Sequence, residues 1–283
     1  VIMEHISDQH FQISIDELGA ELSSIIKDGR ERLWQGENGL WNKHAPILFP
    51  FAGLCRMRVD GKFYQEKRHG FAREMKFTVI DKKANSITLG LQDTPETLLR
   101  YPFHFLFQVE YRIEEGIKMV YTIKNTGNQI MPFSYGGHDS FALTKPVEDH
   151  YLLFEKEEEF TALLQEEDGA LNGKTMSFGR GTKLDLDNPL LKDDLSLLLK
   201  EIQSRYVTLV EKETNQKVCA TSFEGINNLV LWHPGKSKMI CIEPWLNLTD
   251  PVGEELIEFK DKYGVINLMP GEEKVLVREN FYF

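Results

Sequence analysis

The stretch "FQVEYRIEEGIKMVYTIKNTG", Phe107 to Gly127, decides how this chain reads. On its first arm Phe107, Val109, Tyr111 and Ile113 alternate with polar residues, and on its second Ile117, Met119, Tyr121 and Ile123 keep the same spacing. A period of two belongs to a strand with one buried face, because successive side chains point to opposite sides of a sheet. Glu114, Glu115 and Gly116 supply the turn between the arms, so the spacing predicts an antiparallel hairpin.

Outward from this hairpin, short segments rich in β-branched and aromatic residues recur, each bounded by turn residues. They include "FQISIDEL", "KFTVID", "SITLGLQD", "YVTLVE", "KVCATSF", "NLVLWH", "MICIEPW" and "EKVLVRENF". Repeats of about ten residues are the spacing of an all-β antiparallel sandwich or barrel. Helical signal is scarce. In "PLLKDDLSLLLKEIQSRY" apolar residues at 191, 195, 198 and 202 keep helix spacing, which predicts a helix over about 190–202 or a loop carrying a turn or two. The acidic "EKEEE" from Glu155 reads as a solvated edge or loop. No repeat, low-complexity linker or shift in composition divides the chain, so one domain over 1–283 is expected.

Composition narrows the function classes. The 283 residues are 41% apolar and 27% charged, enough for a sizeable core, and the net charge of −11 gives no support to binding nucleic acid. Cys55, Cys219 and Cys241 are far apart, which suits a reducing compartment and supports neither a disulfide framework nor a zinc site. No apolar run reaches the 18 or so residues of a membrane span, and Val1 to Gln12 has no secretory pattern, so a cytoplasmic location and no membrane partner are expected. Asn247-Leu248-Thr249 matches a glycosylation acceptor that would have no meaning there.

Three motifs combine an expensive residue with a strand-and-turn setting: "HGFARE" at 69–74, "GGHDSF" at 136–141 and "CIEPW" at 241–245. Singly, each has an ordinary explanation, such as a histidine packed at a strand end or a Glu-Pro pair that closes a strand. Together, "FPFAGLCRMRVDGKFYQEKRHGFARE", "YGGHDSF" and "CIEPWLNLTD" resemble, in order and spacing, the galactose mutarotase-like (aldose 1-epimerase) family, and its LacX-like branch in particular.

That resemblance implies a large antiparallel β-sandwich with few short helices and an open carbohydrate cleft. It also implies an isomerase that interconverts the α and β anomers of a free sugar without metal, nucleotide or other cofactor. By resemblance His138 takes the place of the general acid and Glu243 that of the general base. His69 would bind or assist near the ring oxygen, and Arg73 would bind a hydroxyl or hold a carboxylate. An arginine usually follows the "FP..G" segment, but Leu54 stands there, and Arg56 is the expected substitute. Asp194 of "DDL" is matched to a hydroxyl-gripping aspartate. Trp245 fits either a sugar platform or the core.

The chemistry suits the pair. Opening a pyranose needs a proton at the ring oxygen while another leaves the anomeric hydroxyl. A histidine with an ordinary pKa near 6.5 and a glutamate set among Ile242, Pro244 and Trp245 are fitting donors and acceptors. Lacking a Cβ, Gly136 and Gly137 let a sugar or a neighbouring strand approach beside His138. Three other functions stay open at this stage. They are a hexose 6-phosphate mutarotase gripping phosphate with Arg56, Arg58 and Arg73, a non-catalytic sugar-binding protein, and a glycoside hydrolase whose second carboxylate is unaccounted for. The identity of the sugar and the oligomeric state are not legible.

Overall fold

The hairpin around Gly116 forms as its alternation requires. In the computed structural model, which describes residues 1–192 and 194–283 with Glu255 in its backbone alone, strands Phe105–Ile113 and Ile117–Asn125 pair antiparallel. Val109 faces Tyr121 and Tyr111 faces Met119. Every alternate residue of both strands is buried, giving one face to the core and one to solvent. At the turn a Cβ on Gly116 would lie 2.1 Å from the Asn280 carbonyl oxygen, so only glycine fits beneath the neighbouring strand.

Among the described residues the hairpin belongs to a sheet of 15 strands. From one end its path runs Thr78–Lys82, Ser86–Gln92, the hairpin, Glu273–Tyr282, Lys217–Ser222, Tyr206–Glu211 and His150–Gln165. It continues through Leu197–Leu199, Asn228–Trp232, Met239–Trp245 and Gly136–Gly137 to Ile47–Leu48. The two ends face each other. Phe49, beside the last strand, stacks on Phe107 at 4.7 Å between ring centres, and Tyr135 meets Tyr121 at 4.6 Å. The sheet therefore folds into two layers whose inner faces share one aromatic core, the antiparallel β-sandwich expected. A four-stranded sheet from Met3–Ser7 to Arg30–Glu31 adds Ile13, Ile15 and Ile25 to it.

Helices are short. Pro95–Arg100 begins at Thr94, whose hydroxyl accepts from Thr97 N–H while Thr97 Oγ1 accepts from Thr94 N–H. The helix expected over 190–202 is corrected: Pro189–Lys192 makes one turn, and Leu197–Leu199 is a strand between Asn228–Trp232 and His150–Gln165. Three successive buried leucines there face apolar partners on both sides, and that interior environment outweighs the helical spacing. The acidic run also departs from its reading at one position. Glu158 is buried and accepts hydrogen bonds from Gln203 N–H, Ser204 N–H and Ser204 Oγ. Among the described residues no helix is long and apolar enough to cross a membrane.

Between the layers lies a buried charge pair. Arg278 Nη2 and Asn280 Nδ2 both donate to Asp139 Oδ2, the latter at 2.9 Å, and Thr221 Oγ1 donates to Asn280 Oδ1 at 2.7 Å. Asp139 follows His138 in the chain, so it points to the opposite side of the strand and ties the floor of the site to the other layer.

Candidate active site

His138 and Glu243 are cross-strand neighbours. Gly136 pairs with Trp245 and Asp139 with Ile242 in the same antiparallel register, which places residue 138, between the two short strands, opposite residue 243. Directly opposed residues project on the same face. Accordingly His138 Nε2 lies 3.4 Å from Glu243 Oε1, and both side chains are buried. No extra residue is inserted on either side between the Gly136–Trp245 and Asp139–Ile242 pairs. What crowds the glycines is protein. A Cβ on Gly136 would meet Ala52 and Trp245 at 2.8 Å, and one on Gly137 would meet Arg278 Nη1 at 2.3 Å. Of the two reasons expected for the glycines, close approach of neighbouring elements is the one the packing shows.

Glu243 and Trp245 sit two apart on one strand and so share a face, and Trp245 Nε1–H donates to Glu243 Oε2 at 3.1 Å. Burial pushes the Glu243 carboxyl well above the usual carboxylate range, the Trp245 hydrogen bond pulling the other way. Burial likewise lowers the His138 imidazole, to about 3. Burial thus disfavours the charged form of both groups.

His69 is held by its backbone and its ring together. Its N–H donates to the Gly53 carbonyl at 2.9 Å, and Gly53 N–H donates to its Nδ1 at 2.8 Å. An accepting Nδ1 leaves the proton on Nε2, making neutral His69 a hydrogen-bond donor to the cleft. Burial, then His138 and Arg73, lower its pKa well below the ordinary value. Its φ of +71° is unusual for a non-glycine residue, and Gly70 follows at +70°. There a Cβ would lie 2.3 Å from the Phe49 carbonyl oxygen, which is why glycine follows this histidine.

These groups floor a cleft of about 330 Å³. Trp41 stacks on the His138 ring at 5.1 Å, Trp232 meets it edge-on at 5.9 Å, and His69 and Trp245 close another side. Arg68, Arg73, Gln165 and Ser196 add polar groups to the lining. Indole and imidazole walls suit the apolar C–H faces of a sugar, and the polar groups suit its hydroxyls. Trp245 is thus both packed and part of the wall. A larger cavity of about 1120 Å³ lies elsewhere and contains none of His69, His138 or Glu243, so size does not identify the site.

The structure brings together His69, Arg73, His138 and Glu243 and leaves two expected residues outside. Arg56 is exposed between buried Cys55 and Met57, and with Leu54 it lines the larger cavity. Asp194 is exposed on a turn at φ +59°, while Ser196 and Leu198, farther along the same segment, reach the cleft. Asp193, the other aspartate of that segment, lies outside the described residues. Sequence reasoning did not single out Arg68, Trp41, Trp232 or Ser196. Arg68 is adjacent to His69 and Trp232 ends a strand, so both were within reach, whereas Trp41 sits in a loop with no periodic signal.

A sequence profile of the aldose 1-epimerase family matches residues 4–252. The plasmid-borne protein LacX of Lactococcus lactis subsp. lactis is 30% identical, with 94% of each chain covered. A galactose mutarotase-like protein from Lactobacillus casei superposes with a TM-score of 0.91 at 28% identity over the whole of both chains. A galactose mutarotase related enzyme from Lactobacillus acidophilus gives 0.90 at 26% identity, covering 100% of this chain and 97% of the other. Sequence profile, relative and fold agree with the motifs around the His138–Glu243 pair, and the chain belongs to the aldose 1-epimerase family.

Proposed function

We propose that the protein is a mutarotase, interconverting the α and β anomers of a free hexose or close derivative, with His138 as general acid and Glu243 as general base. The observation that carries this reading is the 3.4 Å approach of the two groups on the floor of an aromatic cleft. The ring oxygen and anomeric hydroxyl of a pyranose share one carbon, so one substrate can engage both groups. His138 delivers its proton to the ring oxygen as Glu243 takes the hydroxyl proton, and the C1–O5 bond opens to the aldehyde. Rotation about C1–C2 presents the other face, and reversal of the two transfers closes the ring.

Ring opening moves one proton through the substrate, turning imidazolium and carboxylate into imidazole and carboxylic acid. Burial favours that neutral form, so the site supports the open-chain stage, and the Trp245 N–H supports the carboxylate needed to begin. His69 Nε2–H and Arg73 are assigned to substrate hydroxyls. Neither Arg56 nor Asp194 takes part.

Freshly dissolved α-D-glucose and α-D-galactose followed by polarimetry test the reading. Acceleration over the spontaneous rate is expected, reduced by about 10²–10⁴-fold in folded His138→Ala and Glu243→Gln variants. Full activity in either variant rejects its assigned role. A second reading, a hexose 6-phosphate substrate, draws on Arg68 and Arg73, which line the cleft and are of the residue type that matches phosphate oxygens. Preference for the phosphorylated sugar in the same assay would select it. Among the described residues lining the cleft Glu243 is the only carboxylate, which weighs against a hydrolase with paired carboxylates.

A further inference from the structure

Cys241 precedes Glu243 by two residues and so faces the same way on its strand. It has no part in the proton transfers above and does not line the cleft, being fully buried behind it. Yet single ligand atoms of His138, Cys241 and Glu243, a nitrogen, a sulfur and an oxygen, all lie within 4.8 Å of one another.

The spacing is that of a tetrahedral metal site close to assembled. With bonds of about 2.0–2.1 Å, a tetrahedral zinc ion sets its nitrogen and oxygen ligands about 3.3–3.4 Å apart. His138 Nε2 and Glu243 Oε1 stand at 3.4 Å already. Edges to sulfur need about 3.6 Å, so from a largest separation of 4.8 Å Cys241 has to close by about 1.2 Å at most. The Trp245 N–H is spent on Oε2, which fixes the carboxylate and leaves Oε1 to the ion, the part outer hydrogen bonds play around metal ligands. His138 Nδ1 is buried without a hydrogen-bond partner, so the ring is oriented by its packing against Trp41 and Trp232 and not by an outer hydrogen bond. A thiolate and a carboxylate together neutralise a divalent cation, so no net charge is buried. The cleft supplies the path in and an open fourth position.

We propose that His138, Cys241 and Glu243 bind one thiol-seeking divalent cation of the zinc class, and that the bound ion shuts off proton exchange at this pair. Binding forms one bond each to nitrogen, sulfur and oxygen. It releases two protons, one from the Cys241 thiol and one from the Glu243 carboxyl, while the imidazole keeps its Nδ1 proton, with no change of oxidation state. The site itself rests on geometry, while its inhibitory effect rests on the mutarotase reading.

Co²⁺ titrated into the metal-free protein reports the site through thiolate-to-cobalt charge-transfer absorption, and Zn²⁺ displaces it. One equivalent is expected, with the band absent and Zn²⁺ affinity weakened by more than about tenfold in Cys241→Ser. Cys241→Ala and His138→Ala, each checked by thermal melting, serve if serine does not fold. In polarimetry Zn²⁺ is expected to inhibit the wild type, and Cys241→Ser to keep its activity and lose that inhibition. No thiolate–cobalt band at one equivalent, or a band unchanged by Cys241→Ser, overturns the site. A Cys241-dependent band with undiminished mutarotation overturns the inhibition and the acid–base reading of the pair, leaving the metal site standing.

Discussion

Trp245 Nε1–H reaches the carboxylate proposed as the general base, across two residues of a single strand. Hydrogen bonding to a carboxylate favours its charged form, opposing the burial that raises Glu243. Trp245→Phe keeps most of the packing and removes the donor, so the Glu243 carboxyl should titrate higher still. The acid limb of kcat/KM should move to higher pH by roughly one unit, with the rate below it falling in step. A pH–rate profile by polarimetry checks this, and an unmoved limb would reduce Trp245 to a wall of the cleft. His69 makes a second case. Its Nδ1 accepts from Gly53 N–H, which only an unprotonated nitrogen can do, and asparagine at that position offers an acceptor without titrating.

At the scale of elements, the Met239–Trp245 strand is central because it holds Glu243 and is paired along both edges. Its partner carrying His138 is anchored across the core by Asp139, Arg278 and Asn280, and Gly137 leaves the space that the guanidinium fills. Breaking a buried pair from one side strands a charge, whereas replacing both partners by apolar groups does not. Arg278→Met should therefore destabilise by about 3–5 kcal/mol, and Arg278→Met with Asp139→Leu by clearly less than the sum of the single changes. Urea unfolding of the four proteins completes the cycle. Simple additivity would mean that the contact holds nothing in place.

Over the whole molecule, His69, His138, His150 and His233 all have pKa values lowered by burial. The folded protein keeps them neutral, while the unfolded chain takes up protons below the ordinary value of 6.5. Their contribution to stability is present above that pH and is lost as pH falls below it. Urea midpoints between about pH 7.5 and 5 should decline, and His69→Asn should flatten the decline. An unchanged slope would remove His69 from that account. Legibility from sequence followed the range of the interactions. Alternation over 107–123 and the order of three motifs determined the all-β class and the family, because strand period and turn chemistry are local properties of a chain. The same locality limited what could be read: Leu197–Leu199 became a strand through partners on both sides, and Glu158 was buried by backbone donors some 45 residues away. Only the tertiary structure decided which polar residues share the cleft. It turned Arg56 outward, brought in Arg68, Trp41 and Ser196, and set Cys241 behind the pair, since which groups converge depends on register between strands distant in sequence. Residues 138 and 243 are 105 positions apart and meet because the pairs Gly136–Trp245 and Asp139–Ile242 on either side of them share one register, a constraint that no single segment carries.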